Sequence, residues 1–170
     1  MKYFLYLFLF GFVLSSCKQE QEYSSIDPIN WEKRMLNSFT PDSTFENGET
    51  YLSVYSEIYS LSEHRTHDLT ATISLRNISP ADSVYIHSAI YYDTHGNKIR
   101  SYFENPIYLL PFETVEIVID EADETGGTGG NFHFQWSKKL NVPAPLFEAV
   151  MISTSGQQGV SFVTVGKKIN

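Results

Sequence analysis

The residues best equipped for chemistry fall in one short stretch. Asp120, Glu121, Asp123 and Glu124 set four carboxylates beside Gly126-Gly127-Thr128-Gly129-Gly130. Carboxylate and backbone oxygens are what a calcium ion takes, about six to eight of them at once. The spacing departs from the D-x-[DN]-x-[DN]-G loop, and a solvated, mobile inter-strand loop is the simpler account of acids followed by glycines. Asp120 and Asp123 therefore stand as weak candidates for a calcium site, with Asp93 as a third. Asp93-Thr94-His95-Gly96-Asn97 reads first as a hairpin turn, in which aspartate bonds its own backbone and glycine supplies a positive φ. The glycine run is no phosphate cradle: the GxxxxGK[ST] pattern is missing, and the adjacent acids would repel phosphate.

Other chemistry finds less support. His64 and His67 form an H-x-x-H near Asp68 in what reads as a polar loop, whereas zinc needs three or four ligands at tight distances. His133 alternates with Phe132 and Phe134 and should point to the wet side of a strand. There is no G-x-S-x-G elbow, and Ser153-Thr154-Ser155-Gly156 reads as a hairpin connection. No catalytic residue is assigned. Tyrosine offers a different opportunity, since exposed tyrosines mark interaction surfaces. Tyr85, Tyr91 and Tyr102 are weak candidates for a binding patch on an exposed sheet face, and Tyr51, Tyr55 and Tyr59 would share a face of one strand.

The single cysteine has a clearer chemistry. Lys2 leads an apolar run from Tyr3 to Leu14, broken only by Gly11. Crossing a bilayer takes roughly 20 apolar residues, so this run reads as a secretory signal. It ends Leu14-Ser15-Ser16-Cys17, which resembles the lipobox of bacterial lipoproteins. The resemblance implies a diacylglyceryl thioether on the Cys17 thiol, cleavage before it, and acylation of the freed amino group. Two acyl chains give stable anchoring, at about 0.8 kcal/mol per buried CH₂. Cys17 has no other cysteine with which to pair in the 170 residues.

These groups must be positioned by strands. Residues 1–16 form the leader and 17–48 a polar tether, in which Asp27-Pro28 can cap a short helix through Leu36 with Trp31 and Met35 on one face. The segment Lys18-Gln19-Glu20-Gln21-Glu22 loosely resembles a surface-export signal of some Gram-negative lipoproteins, though a solvated linker is the plainer reading. Residues 49–170 carry period-two alternation. Leu69, Ala71, Ile73 and Leu75 share one face; so do Val84, Ile86 and Ile90, then Val115, Ile117 and Ile119, then Phe132, Phe134 and Trp136. Tyr51–Tyr59, Lys98–Phe103, Leu146–Ser153 and Val160–Val165 fit further strands, punctuated by Gly, Pro and Asn turns. Seven to nine short strands without a long helix indicate a single antiparallel β-sandwich, all-β and Ig-like in architecture only.

Four segments together bring a family into view. They are Leu69-Thr70-Ala71-Thr72-Ile73-Ser74-Leu75-Arg76-Asn77; Tyr91-Tyr92-Asp93-Thr94-x-Gly96 with Arg100-Ser101-Tyr102; Gly126 to Phe132; and Glu148-Ala149-Val150-Met151-Ile152 with Gln158-Gly159-Val160-Ser161-Phe162. Over about Tyr51 to Ile169 the chain resembles the bacterial lipoprotein family catalogued as domain of unknown function 3124, departing from its usual alanine at Gly130. The family has no assigned activity, so the resemblance implies no catalytic residue.

Charge narrows the partners. The chain carries 12 basic and 20 acidic residues, a net charge of −8. Loss of the leader removes Lys2 and no acid, which deepens the charge to −9. Nucleic acid is excluded, because its binding rests on Lys and Arg neutralising phosphates. The reading is a lipid-anchored protein of the bacterial cell envelope, on its periplasmic or surface side, that touches the membrane through its anchor. It binds an envelope protein or glycan without catalysis. The alternative is an envelope enzyme or calcium-dependent module using the acidic glycine loop.

Overall fold

A computed structural model describes residues 31–154 and 159–170. The leader, Cys17, most of the tether and Asp27-Pro28 lie outside the described residues. The chain runs β1 (Phe45–Ser53), β2 (Glu57–Ser60), β3 (Ser62–Asp68), β4 (Thr70–Arg76), β5 (Val84–Tyr92) and β6 (Lys98–Ser101). It continues through β7 (Ile107–Leu109), β8 (Thr114–Ile119), β9 (Asn131–Lys139), β10 (Leu146–Ser153), β11 (Val160–Val165) and β12 (Lys167–Lys168). All pairings are antiparallel. The larger sheet has the order β12-β1-β9-β5-β6, with β7 on the other end of β5; the smaller is β11-β10-β4-β8; β2 and β3 form a separate hairpin. The expected all-β sandwich is what the chain forms.

Alternation explains the layers. In β4 Ala71, Ile73 and Leu75 face inward, and Val115, Ile117 and Ile119 of β8 and Phe147, Ala149 and Met151 of β10 meet the same core. The larger sheet answers with Leu52, Phe132, Phe134 and Trp136. Rings stack through the middle: Tyr91 on Phe132 at 4.9 Å, Phe132 on Phe134 at 5.5 Å, and Phe134 on Phe147 of the opposite sheet at 4.1 Å. Each such buried side chain contributes about 1.5–3 kcal/mol.

Four expectations change in the folded chain. In β5 the register shifts between Ile86 and Ser88. Val84 and Ile86 point inward before this bulge, and Ala89 and Tyr91 after it. One extra residue reverses the parity, so Ile90 leaves the face it was expected to share with Val84. The helix expected through Leu36 is a single 3-10 turn, Trp31–Lys33. Beyond it the Leu36 N–H bonds Pro106 O at 2.8 Å and Met35 pairs with Ile107, so the backbone is taken up as an extra edge beside β7. Trp31 and Met35 nonetheless both pack on the core, and β1 begins at Phe45. Finally, Tyr51–Tyr59 is not one strand, and the loop around His64 and His67 is β3 of the projecting hairpin. Its sequence SEHRTHD buries too little to announce a strand. No helix among the described residues is long and apolar enough to cross a membrane.

Candidate functional site

The outer face of the larger sheet carries a ladder of polar side chains. Register sets Asn47 of β1 opposite Ser137 of β9, and Glu49 opposite Gln135. His87, two residues after the outward-facing Tyr85, joins the same row, and the bulge adds Ser88 beside it. His87 Nε2 bonds Ser137 Oγ, which donates to Asn47 Oδ1 at 2.8 Å. In the next row Ser88 Oγ donates to Gln135 Oε1 at 3.2 Å, and Gln135 Nε2 to Glu49 Oε1 at 3.3 Å. His133 Nε2 reaches Glu49 Oε2 at 3.2 Å. Here His133 is on the wet face, as its alternation implies.

These rows border a cleft of about 300 Å³, lined by Asn47, Glu49, His87, Gln135, Trp136 and Asn170 among others. Its volume is at the small end of ligand sites. Beneath the cleft, on the inner side of the sheet, Gly48 leaves room for the Trp136 ring: a Cβ there would lie 2.3 Å from it. With glycine in place the indole lies against the β1 backbone and its Nε1 donates to Thr50 Oγ1 at 2.9 Å. At the end of the same sheet Glu46 accepts from Lys138 at 2.6 Å and Lys168 at 2.7 Å, tying β1 to β9 and β12. These two ammonium donors hold the Glu46 carboxyl well below the usual range, at about 2. On the other side Phe39 stacks on Tyr85 at 4.0 Å and leans on His87 at 5.7 Å. Burial lowers the His87 pKa, which favours the neutral imidazole.

The cluster is not arranged as a serine nucleophile. Ser137 has one proton and gives it to Asn47, so His87 acts as the donor to Ser137 and not as the base that would activate it. What the cleft offers is an array of amide, imidazole and carboxylate groups suited to hydrogen bonding a polar ligand.

The acids flagged by sequence have other partners. Asp93 lies in the expected turn, accepting the N–H groups of His95 and Asn97 at 2.8 Å each, with Gly96 at φ 82°. These bonds lower its pKa, the side-chain and backbone bonds from Asn97 most of all. Asp120 is exposed and accepts from the Ala122 N–H at 2.8 Å. Asp123 is the surprise, buried at 2% exposure. Its carboxylate accepts from the Arg100 guanidinium, the Thr125 N–H at 3.2 Å and the Thr125 hydroxyl. It caps the 3-10 segment Glu124–Gly129. The three aspartates thus do different structural jobs, and no group of three or more metal-ligating side chains occurs among the described residues.

The glycine run is likewise not the solvated loop expected. It is clamped by the hairpin turn, Thr94 donating through both N–H and hydroxyl to Gly126 O at 3.1 and 3.0 Å and accepting from the Gly129 N–H at 2.9 Å. Gly126 is buried, and a Cβ there would lie 1.8 Å from Tyr91 Oη. Glycine is needed for this close approach.

The tyrosine candidates do not form one exposed patch. Tyr91 is fully buried because the β5 bulge turns it inward. Burial pushes its phenol up to about 12. Tyr102 packs its ring 5.5 Å from Phe132, and burial raises its pKa too. Only Tyr85 stays on the outer face, under Phe39. The cleft residues were missed because they come from three strands far apart in sequence; the alternation of His133 and Gln135 with the core aromatics was the one available signal.

Comparison with known proteins places this geometry. No curated protein matches the sequence. A solved structure, titled Crystal Structure of Thermotoga maritima 1070, is similar at a TM-score of 0.45 and 7% identity, covering 71% of this chain and 92% of that one. A family model described as Protein of unknown function (DUF3124) matches residues 47–169, nearly the whole sandwich, and the chain belongs to that family.

Proposed function

We propose that the protein is a lipoprotein of the bacterial envelope, held to its membrane by acyl chains on Cys17, and that its sandwich domain binds a glycan without catalysis. The observation that carries the binding reading is the cleft on the outer face of the larger sheet. Among the described residues its lining supplies amide and imidazole groups, with Glu49 the one acidic side chain and no lysine or arginine. Hydroxyl-rich, uncharged chains match such a surface, because each sugar hydroxyl both donates and accepts. The short motif before Cys17 supports the anchor.

The glycan reading is tested by titrating envelope polysaccharide fragments against the protein and its Glu49→Gln and Gln135→Ala variants. Binding that falls about tenfold in both variants, roughly one lost hydrogen bond, supports it. Photo-crosslinking from Gln135 in cells that returns one protein reproducibly, with no glycan bound, would replace the glycan by a protein partner. For the anchor, labelled palmitate should attach to the protein and not to Cys17→Ala.

A further inference from the structure

Among the described residues, the smaller sheet ends on a strand with no backbone partner on its outer edge. Sheet edges carry free N–H and C=O groups, and proteins blunt them with charge, proline, bulges or brevity. The other edges here follow that rule. Strand β12 is Lys167-Lys168; β6 holds Lys98 and Arg100; β8 holds Glu116; β3 holds Glu63, Arg65 and Asp68. Strand β11, Val160-Ser161-Phe162-Val163-Thr164-Val165, has six residues and no charge, proline or glycine.

Its side chains are apolar on both faces. Val163 and Val165 are 57% and 60% exposed on the outer face, where Val150 and Ile152 of β10 continue the strip. By alternation Val160, Phe162 and Thr164 turn to the inner face. Val160 is 38% exposed, and Phe162 is half-buried against Tyr55. A partner laid on the outer face would cover only one of these sets. A strand added alongside covers both.

The ladder also shows which backbone groups are free. The Gly166 N–H bonds Phe147 O at 2.8 Å, which makes that a hydrogen-bonded pair. Pairs alternate along an antiparallel ladder, so Phe162 and Thr164 direct their backbone groups to β10. Those of Ser161, Val163 and Val165 point to the open edge.

We infer that β11 is an assembly edge, and that two copies of this chain join by antiparallel pairing of β11 with β11 about a twofold axis. An antiparallel strand is its own complement under a twofold, so one interface satisfies both copies. Charge favours the same place: two chains of net charge −8 repel over most of their surface, whereas β11 carries no charge, its neighbours Val150 and Ile152 carry none, and Glu148 opposite Val165 is paired with Arg76. The product is one continuous eight-stranded sheet, with the two larger sheets on the same side of it.

The test uses the full chain in mild detergent, over about 1–100 µM. Sedimentation velocity should show two chains per particle, increasing with concentration. Amide exchange at Ser161, Val163 and Val165 should slow about tenfold or more as it does. Val163→Pro removes an N–H that faces the open edge and spares the β10 ladder, and Val163→Lys installs a charge; each should return one chain per particle with the circular dichroism of the fold kept. One chain per particle throughout, with fast exchange at those three amides, overturns the inference. So does a two-chain particle that survives both substitutions, one dissociated only by Val150→Lys, or capture of a different protein's strand by β11.

Discussion

The two outer faces of the sandwich are built on the same period-two alternation and differ in what it exposes. On the larger sheet Asn47, Glu49, His133 and Gln135 stand outward, tied to each other and to His87 and Ser137. On the smaller sheet the outward positions of β10 and β11 are mostly apolar, Val150, Ile152, Val163 and Val165 with Glu148 and Ser161. Antiparallel sheets that face water usually place polar groups outward. The larger sheet obeys and gains a cleft, and the smaller one keeps an apolar strip at its β10–β11 edge of the kind found where two proteins meet. The lesson is that one scaffold can separate recognition of a polar ligand from association between chains by face.

The largest blow to the polar face should come from beneath it. Trp136→Ala removes a fully buried indole from the inner side of the sheet that carries the cleft, costing about 3–5 kcal/mol. Urea melts would read this, and a loss below about 1 kcal/mol would mean that the cleft does not rest on the core. Asp123→Ala leaves the Arg100 guanidinium and Thr125 without their buried acceptor, a loss of roughly 2–3 kcal/mol. Asp93→Ala, in an exposed turn, should scarcely move the same melt. Equal losses at the two positions would show that burial does not separate them.

Acid should act on the polar face and spare the apolar one. His87 has a folded pKa below its ordinary 6.5 because burial disfavours the charged ring. The unfolded chain therefore takes up a proton first as pH falls. Its contribution to stability is complete above pH 6.5 and declines as pH drops below it. The pH slope of the urea midpoint just below 6.5 should flatten in His87→Gln and stay unchanged in Val163→Thr. Glu46 follows lower down: with its pKa depressed from 4.5 to about 2, the tie of β12 to β1 holds above pH 4.5 and loosens toward pH 2. Exchange at the Ile169 amide, which bonds Glu49 O at 2.9 Å, would report it. The smallest effect is Tyr102→Phe. Its buried hydroxyl has no partner among the described residues, so the change should be neutral or slightly stabilising.

Much of the fold was legible because alternation is a local property. The inward sets of β4, β8 and β9 follow from residues two apart, each half-buried strand needing one apolar face. Cys17 and the apolar leader before it are local in the same sense, a motif read along the chain. The turn at Asp93 belongs here too, since an aspartate bonds backbone only a few residues on.

Tertiary structure decided what depends on pairing. A single bulge at His87 sent Tyr91 into the core and Ser88 to the outer face beside His87, and no pattern within β5 marks where one extra residue will sit. Asp123 and Asp120 look alike in sequence, yet only Asp123 meets Arg100 from β6 and is buried. The glycine run looked free until Thr94 and Tyr91, more than thirty residues away, closed on it. The sequence by itself determined the half-buried strands of the sandwich, β4, β8, β9 and β10 among them, because apolar burial is set by spacing along one chain; the polar β3 left no such mark. Which polar groups face each other was left to the register between strands, where a one-residue shift exchanges inside for outside.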